Sequence, residues 1–288
     1  MNLLCKGGFV LTEAEKIKAF IKENIERYKF SGVVIGISCG IDSAVVGKLL
    51  VDAIGNDKVF GLILPERDSA KETVKDAKLV CEFLKINYKI KNISRILRSM
   101  GVYSLKPPAL IFPRSVQERY AQNVWLAEDK PYIQDLQNRG NKSFRESLAY
   151  YRAKPRIRSV IFYFYAEQLG YAVAGCTNKT EALTGFYVKW GDEICDIEPI
   201  SHLYKTQVYE LAEILKIPQK IINKKPSPDI APGITDEFAL GISYEEIDRI
   251  LIKIEKGEDL SGEKQESIGK IKEVLANKKL REIKCLHL

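Results

Sequence analysis

Two kinds of hydrophobic pattern alternate along the first part of the chain. Thr12 to Tyr28 places apolar residues near helical spacing among charged ones, and Thr12 with Glu15 has the form of a capping box, so a helix is predicted. Gly32 to Ser38 is a short, β-branched apolar run, which is typical of a buried strand. After a loop, Asp42 to Ile54 returns to helical spacing. The local order is therefore helix, strand, loop and helix.

The same alternation continues further along the chain. The predicted strands are Val59 to Leu64, Asn87 to Ile90 and Ala172 to Gly175. The predicted helices are Ser69 to Leu84, Arg156 to Leu169 and Lys205 to Leu215. Strands that alternate with helices predict an α/β protein in which a parallel sheet carries helices on both faces.

The stretch from Val102 to Ser147 interrupts this pattern. It is polar and charged, contains the Pro107-Pro108 break, and carries aromatic residues that include Tyr120 and Trp125. Loops this long inside compact domains are unusual unless they act as lids or stay mobile. We expect one domain over residues 1–288, with a lid or insertion at about 102–147. An ordinary small subdomain with a partly buried Trp125 is the alternative.

Composition adds an expected location. Of 288 residues, 45% are hydrophobic and 29% are charged, as in an ordinary soluble globular protein. No apolar run approaches the roughly 20 residues that cross a bilayer, and Met1 to Gly8 lacks the apolar core of a signal peptide. We therefore expect a cytoplasmic protein without a membrane partner.

Charge and cysteine content limit the kinds of ligand. The six cysteines never form a C-x-x-C pair, so neither a zinc site nor a disulfide framework is suggested. The formal net charge of +7 suits polyphosphate ligands, but a solvated lysine-rich surface explains it equally well. Nucleic-acid binding is not expected from it.

A candidate phosphate loop follows the first predicted strand. It comprises Ser38, Cys39, Gly40, Ile41, Asp42 and Ser43. Between a strand and its helix in an open α/β sheet, backbone N–H groups and a helix N-terminus point at an anion. The loop is not a Walker A sequence, because Leu49 stands where Ser or Thr must hold Mg²⁺. A simple turn in which Asp42 and Ser43 cap the helix is an equally good interpretation of these residues alone.

These six residues resemble the SGGxDS pyrophosphate loop of the ATP pyrophosphatase superfamily. Gly175 to Glu181 and Thr184 to Asp192 are similar to the GTxNxxE and TGFxTKYGD motifs of the NAD synthetases. Further matches follow in the same order, so the chain resembles the ammonia-dependent NAD synthetase family over about residues 13–91 and 156–248. The resemblance implies a Rossmann-like, three-layer fold of the adenine nucleotide alpha-hydrolase type.

The resemblance also implies an activity. It is that of a ligase which forms a C–N bond: ATP adenylates the carboxylate of deamido-NAD, and ammonia then displaces AMP to give NAD. The family implies Mg²⁺, ATP as co-substrate and a homodimer. Ammonia is expected to be free, because no glutaminase domain fits in 288 residues.

The family pattern assigns roles to particular residues. The implied ATP contacts are Ser38, Cys39, Gly40, Ile41, Asp42, Ser43, Cys176, Thr177, Lys205 and Ser227. The implied metal ligands are Asp42 and Glu181. The implied deamido-NAD contacts are Arg156, Lys189, Asp196 and Lys279. The catalytic candidates are Lys205, which would steady charge at the α-phosphate, and Asp192, which would receive or orient ammonium. A surface position for Glu181 and a simple turn at Asp192 remain as alternatives.

Several residues depart from the family pattern. Cys39 stands at the second loop glycine, where a left-handed backbone would cost a non-glycine residue roughly 1–2 kcal/mol. Cys176 replaces a threonine, Glu193 replaces a glycine and Arg152 replaces an asparagine. Lys278-Lys279-Leu280 stands at the C-terminal His-Lys-Arg element. ATP chemistry is thus better supported than the identity of the acyl substrate.

Three other functions stay open at this point. A paralogue could amidate a different carboxylate, for which Glu193 and the altered C-terminal element are the reason. A tRNA sulfurtransferase with the same loop could use Cys39 and Cys176, although the missing C-x-x-C pair and RNA-binding appendage count against it. A nucleotide sensor without catalysis fits least, because Asp42, Glu181 and Lys205 are all present.

Overall fold

Four short strands form one parallel sheet in the computed structural model, which describes residues 3–106, 112–226, 233–283 and 285–286. They are β1 (Val33–Gly36), β2 (Val59–Ile63), β3 (Asn87–Ile90) and β4 (Ala172–Ala174). The order across the sheet is β3-β2-β1-β4, and Val33 of β1 pairs with Val59 on one side and with Ala172 on the other. The predicted α/β class and parallel sheet are confirmed.

Both faces of the sheet are buried, which explains why its strands are uninterrupted apolar runs. Along β1, Val33 and Ile35 belong to one hydrophobic core, and Val34 belongs to the other. All three side chains are fully buried. Successive side chains of a strand point to opposite faces, so a sheet covered by two helical layers needs apolar residues at every position.

The first face is covered by four helices. They are α1 (Leu3–Arg27), α2 (Ile41–Ile54), α3 (Lys71–Leu84) and α9 (Lys205–Ile214). Their apolar stripes, which include Ile21, Leu49, Val80 and Leu211, pack together in one core. The predicted helices were correct in type here, and the main difference is that α1 begins well before Thr12.

The second face is covered by α4 (Ser94–Ser99), a 3₁₀ helix at Val102–Leu105, and α7 (Lys142–Leu169). Helix α7 lies close to β1, because a β-carbon at Gly36 would come within 2.5 Å of the Phe162 ring. The sequence predicted this helix only from Arg156, since Pro155 normally ends or kinks a helix. In the structure α7 runs through Pro155, and its N-terminus is capped by Asn141, whose side chain accepts a hydrogen bond from Phe144 N at 3.0 Å.

The stretch from 102 to 147 is helical where it is described. It forms α5 (Arg114–Leu126), α6 (Pro131–Leu136) and the start of α7. Trp125 is partly buried and packs against Phe144, with ring centroids 5.7 Å apart. Tyr132 is buried, and its hydroxyl donates to Thr184 O at 3.1 Å. The C-terminal half of this stretch is therefore packed against the rest of the chain.

The remaining helices build a layer beyond one end of the sheet. They are α8 (Lys179–Thr184), α11 (Asp236–Leu240), α12 (Tyr244–Lys256), α13 (Gln265–Asn277) and α14 (Lys279–Glu282), whereas α10 (Gln219–Ile222) packs into the core of the first face. Their core includes Leu136, Ile250 and Ile271. Within the described ranges, no helix is long and apolar enough to cross a membrane.

A buried ionic network ties α7 to the segment after β2. The ammonium group of Lys154 is fully buried, and it lies 2.9 Å from Glu66 Oε1 and 2.9 Å from Asp68 Oδ2. The Tyr103 hydroxyl donates to Glu66 Oε2 at 2.8 Å, and the Tyr150 hydroxyl donates to Asp68. Buried charges need such partners, because an unpaired charge in the protein interior costs several kcal/mol. The network therefore holds the carboxyl end of β2 against the second helical layer.

Candidate active site

The candidate site lies where two neighbouring strands end and their loops diverge. After β1 the chain passes through the loop of residues 37–40 into α2, and after β4 it passes through residues 175–178 into α8. Because β1 and β4 are adjacent and parallel, both loops lie at the carboxyl edge of the sheet. In open α/β sheets this edge, at a change in strand order, is where ligands bind.

Hydroxyl and backbone groups hold the phosphate loop in place. The Ser43 hydroxyl donates to Gly40 O at 3.0 Å and lies 3.2 Å from the Ser38 hydroxyl. Ser38 N donates to Ser43 Oγ at 3.3 Å. Gly40 is the N-cap residue of α2. It has no side chain that could accept a hydrogen bond from the first N–H groups of the helix. This arrangement suits an anion at the helix N-terminus.

Cys39 has a left-handed backbone, with φ +63°, and its side chain is buried. The family pattern has glycine here, so the structure resolves the question raised by the sequence: the residue does need a positive φ. A β-carbon in this region costs roughly 1–2 kcal/mol. The Sγ atom is also engaged, since Lys224 Nζ lies 2.8 Å from it.

Asn178 and Glu181 form a capping box at the start of α8. The Asn178 side chain accepts from Glu181 N at 3.0 Å, and Glu181 Oε2 accepts from Asn178 N at 3.3 Å. Asn178 is fully buried, and its amide also donates to Asp42 Oδ1 at 3.0 Å. One asparagine therefore orients both proposed metal ligands. The carboxylate of Asp42 faces this group rather than capping its own helix.

Lys205 joins the two carboxylates. Its ammonium group donates to Asp42 Oδ2 at 2.5 Å and to Glu181 Oε1 at 3.4 Å, and its side chain is only 2% exposed. Three helices, α2, α8 and α9, thus begin at one point and place Asp42, Glu181 and Lys205 together. The grouping expected from the sequence is present in the structure.

Two residues of other helices set the position of Lys205. Its backbone N–H donates to Thr180 Oγ1 at 2.9 Å, and Thr180 donates to Asp248 Oδ1 at 2.5 Å. The second oxygen of Asp248 accepts from Thr206 N at 2.8 Å. An acceptor at a helix N-terminus satisfies N–H groups that have no partner within the helix. The start of α9 is therefore anchored to α8 and α12.

The site carries an excess of buried negative charge. Asp236 is 5% exposed and accepts from the Tyr244 hydroxyl at 2.9 Å. Burial raises the pKa of Asp236 to about 6, although Lys205 opposes the shift. Burial and the carboxylates of Asp42 and Asp236 also raise the pKa of Glu181, again against Lys205. Groups with raised pKa values favour proton or cation binding, so this cluster suits a further positive charge.

Cys176 and Thr177 lie on the loop after β4, as predicted. Burial and the nearby carboxylates, Asp42 first, raise the pKa of the Cys176 thiol well above its ordinary value, which keeps the thiol protonated. Thr177 is buried and its side chain hydrogen-bonds to Glu198. Burial raises the pKa of Glu198, and the carboxylates of Glu193 and Asp192 add to the rise. Ser227, the other predicted ATP contact, lies outside the described residues.

The predicted acyl-substrate residues form a second group beside the first. Arg156 Nε and Nη2 each donate to Lys189 O at 3.1 Å. Asp192 Oδ1 accepts from Val188 N at 2.6 Å, and its charge acts on the Arg156 guanidinium. Glu193, the residue that adds negative charge to the pattern, accepts from Trp190 N at 2.8 Å. Its carboxylate therefore folds back onto the turn.

Asp196 and Lys279 differ in their surroundings. Asp196 accepts from Val173 N at 2.7 Å and from the Tyr163 hydroxyl at 3.1 Å, so it links β4 to α7. Lys279 is exposed at the start of α14. Its neighbour Arg281 is buried instead, and its guanidinium donates to Asp135 Oδ2 at 2.5 Å. In the C-terminal element the side chain that points into the protein is therefore that of Arg281, and not that of the predicted Lys279.

Arg152 shares Asp135 with Arg281. Its Nη2 donates to Asp135 Oδ1 at 2.9 Å, and the residue is 8% exposed. Burial lowers the pKa of Arg152, and the charges of Arg281 and Arg156 lower it further. Arg152 and Arg281 therefore share one carboxylate, and Arg156 lies near a second, that of Asp192. Three guanidinium groups thus face two carboxylates, so the group is net positive.

Sequence reasoning missed several of these residues. Asn178 lies within the Gly175 to Glu181 motif, but no role was predicted for it. An Asn-x-x-Glu pattern at the start of a helix is typical of a capping box, so this role could have been predicted. Asp236 and Asp248 belong to the stretch that matches the family pattern, but the match gave neither a role, because their partners at the site lie far away in the sequence. Arg281 carries no motif at all.

The fold and the site together define a nucleotide-binding α/β protein of the ATP pyrophosphatase type. A family model described as NAD synthase matches residues 13–112 and 113–284. The chain belongs to the NAD synthase family.

Relatives and solved structures agree with this assignment. The chain is 53% identical over 274 residues to the NH(3)-dependent NAD(+) synthetase of Thermotoga neapolitana, covering 94% of each chain. It is 55% identical over 263 residues to that of Thermotoga maritima, covering 91% of this chain and 93% of the relative.

Two solved structures are similar over nearly their full length. The NMN synthetase from Francisella tularensis has a TM-score of 0.74 and 25% identity, with 97% of this chain and 98% of the other covered. The NH3-dependent NAD synthetase from Campylobacter jejuni, in complex with the nitrate ion, has a TM-score of 0.71 and 26% identity, with 97% and 99% covered.

At Cys39, glycine should be a more stable replacement than alanine. Both substitutions remove the Sγ contact with Lys224, but only glycine enters the left-handed region without the cost of a β-carbon, roughly 1 kcal/mol or more. Chemical unfolding of Cys39→Gly and Cys39→Ala measures the difference. Cys81, buried within α3, is the matched control, and there glycine should be less stable than alanine by about 1 kcal/mol. The same order at both positions would contradict the left-handed backbone.

Proposed function

We propose that this chain is a ligase that amidates deamido-NAD with ammonia at the expense of ATP, forming NAD, AMP and pyrophosphate through an acyl adenylate. The observation that carries the proposal is Lys205, whose buried ammonium joins Asp42 at the start of α2 to Glu181 at the start of α8. The name shared by the Thermotoga relatives supports the same reaction. We place the reaction in the cytoplasm, where ATP is plentiful.

The chemistry requires an activated carboxylate, because oxide is too poor a leaving group for ammonia to displace. The loop from Ser38 to Ser43 would bind the departing pyrophosphate with its hydroxyls, its backbone and the N-terminus of α2. Lys205 would move from its carboxylate partners toward the α-phosphate as negative charge develops there. The loop hydroxyls and N–H groups are already in place, so they meet the departing charge without reorganisation of solvent, which lowers the barrier.

The carboxylates of Asp42 and Glu181 fit Mg²⁺. Magnesium in nucleotide enzymes is usually held by one or two carboxylates together with phosphate oxygens and water. The raised pKa of Glu181 is consistent with a carboxylate that gains from a nearby cation. When bound, the ion would neutralise the phosphate charge and orient the leaving group. The ammonium group of Lys205 contacts both carboxylates.

The positive group formed by Arg152, Arg156 and Arg281 would bind the anionic dinucleotide, together with Lys189 and the predicted contacts Asp196 and Lys279. The Nε atoms of Arg152 and Arg281 are buried and have no hydrogen-bond partner among the described residues. Asp192 lies beside this group and would accept a proton from ammonium. Glu198, between Asp192 and Thr177, connects the group to the ATP side of the site.

A second acyl substrate has specific support. The likeness to the Francisella NMN synthetase, at a TM-score of 0.74, points to the same adenylation with a mononucleotide as acceptor. The identity of 53% to 55% with NAD synthetases favours the dinucleotide. An assay with both deamido-NAD and nicotinate mononucleotide, with ATP, Mg²⁺ and ammonium, separates them by product mass. No amide from either substrate would reject the proposed function.

Loss of either proposed metal ligand should abolish pyrophosphate release. Asp42→Asn and Glu181→Gln each remove a charged oxygen and keep the shape of the side chain, so we expect turnover to fall by at least about 100-fold, or some 2.7 kcal/mol of barrier. Initial rates of pyrophosphate release at several Mg²⁺ concentrations measure this. Asp52→Asn is the matched control, since Asp52 lies on α2 and pairs only with Lys48 in the ion pairs of the described residues. Unchanged rates at low Mg²⁺ would contradict the assignment.

We also propose that α5 acts as a lid over the bound nucleotides. Arg114, Arg119 and Tyr120 are exposed on its first half, and Arg114 Nη1 donates to Asp68 O at 2.7 Å, beside the carboxyl end of the sheet. Aromatic and guanidinium groups suit contacts with a base and a phosphate. The packed Trp125 at the far end of α5 would serve as the fixed end.

Hydrogen exchange tests the lid. Amides of α5 should exchange at least about tenfold more slowly when ATP and the acyl substrate are added, because closure protects them. Amides of α1 serve as the internal control and should not change, because α1 packs in the core of the first face whereas α5 packs in a different cluster. Strong and equal protection of α5 in both states would end the lid proposal.

A homodimer is proposed as well. The outer surface of α7 exposes Val160 and Phe164, at 66% and 55%, on the same helix as Arg156. Exposed apolar groups of this size favour a partner surface, and symmetric pairs are the commonest assembly. Sedimentation equilibrium should give the mass of two chains, and Phe164→Glu should give one. Leu126→Glu, at an equally exposed position on α5, should leave the dimer intact. A single-chain mass for the wild type would exclude the dimer.

A further inference from the structure

Lys224 contacts the phosphate loop, although it is not one of the predicted ATP-binding residues. It lies just after α10, and its ammonium group is 2.8 Å from the Sγ atom of Cys39. Its side chain is 34% exposed, so the ammonium borders both the loop and solvent. A lysine at this distance from a phosphate loop is close enough to meet a phosphate oxygen after a small rotation of its side chain.

Lys224 belongs to a small cluster with Asp76 and Lys220. Asp76, on α3, is buried and lies 2.5 Å from Lys220 Nζ and 3.3 Å from Lys224 Nζ. Burial would raise the pKa of Asp76, but the two ammonium groups hold it below its ordinary value, so the carboxylate is charged. Two ammonium groups thus share one carboxylate, and the cluster has a net positive charge.

The partners of Lys224 differ in strength. Its contact with Asp76, at 3.3 Å, is longer than that of Lys220, and its nearer partner is a thiol sulfur, which is a weak hydrogen-bond acceptor. A phosphate oxygen is a far stronger acceptor, and hydrogen bonds between charged groups are roughly twice as strong as neutral ones. Lys224 is therefore held at the loop by a partner that an anion can replace.

We propose that Lys224 binds the pyrophosphate part of the nucleotide, with Asp76 as the residue that positions it. In the nucleotide complex its ammonium leaves Cys39 Sγ for an oxygen of the β- or γ-phosphate. The proposal rests on the proposed function in taking ATP as the nucleotide. Cys39, which stands where the family pattern has glycine, then has a role as well: its side chain holds Lys224 at the loop before the ligand binds.

Calorimetric titration with magnesium pyrophosphate and with magnesium ATP tests the proposal without any acyl substrate. Lys224→Met should weaken both affinities at least tenfold, and Lys224→Arg should restore most of the loss, because the guanidinium keeps the charge. Lys220→Met is the matched control: it removes a charge that pairs with the same carboxylate but has no contact with the loop among the described residues, and it should change affinity less than threefold. Thermal unfolding of each unliganded variant shows whether the fold is kept.

Each outcome has a definite meaning. A folded Lys224→Met protein that binds pyrophosphate and ATP as tightly as the wild type would overturn the proposal, and so would equal losses in Lys220→Met and Lys224→Met. Wild-type protein that binds ATP but amidates neither acyl substrate would reject the proposed function and leave this inference standing. Wild-type protein that binds neither pyrophosphate nor ATP would reject both.

Discussion

The buried ammonium group of Lys205 is the feature on which the rest of the site depends. It lies between Asp42 and Glu181, which would otherwise be two carboxylates held together inside the protein. Two buried carboxylates at this distance raise each other's pKa and destabilise the fold unless a cation lies between them. The anchoring of α9 by Thr180 and Asp248 makes sense in these terms, because it holds the lysine where the charge is needed.

The charges of the site are separated in space. Asp42, Glu181 and Asp236 form an acidic group at the phosphate loop, whereas Arg152, Arg156 and Arg281 form a basic group beyond the loop after β4. Thr177 and Glu198 lie between them. A metal ion with polyphosphate fits the first group and an anionic acyl substrate fits the second. The carboxylate to be activated and the phosphate that activates it would then meet between the two groups, which is what adenylation requires.

Local patterns predicted the strands and most helices well, because each depends on residues close in sequence. The failures have identifiable causes. Helix α7 was predicted only from Arg156, yet it begins at Lys142 and continues through Pro155, because packing against the sheet outweighs the lost hydrogen bond. The stretch from 102 to 147 looked irregular because its helices bury few residues each. Tyr132 is buried because it packs with the C-terminal helices, and Phe144 is buried beside Trp125 of α5.

The sequence by itself determined the alternating α/β order and the phosphate loop, and its resemblance to the family motifs identified Asp42, Glu181 and Lys205 as site residues. Only the tertiary structure decided which charges meet. Lys205 and Asp42 are 163 residues apart in sequence, and Lys224 and Cys39 are 185 apart. The left-handed backbone of Cys39, the inward turn of Arg281 and the sharing of Asp135 by two arginines likewise depend on packing. Coulomb energy depends on distance and burial, and neither is a property of the local sequence.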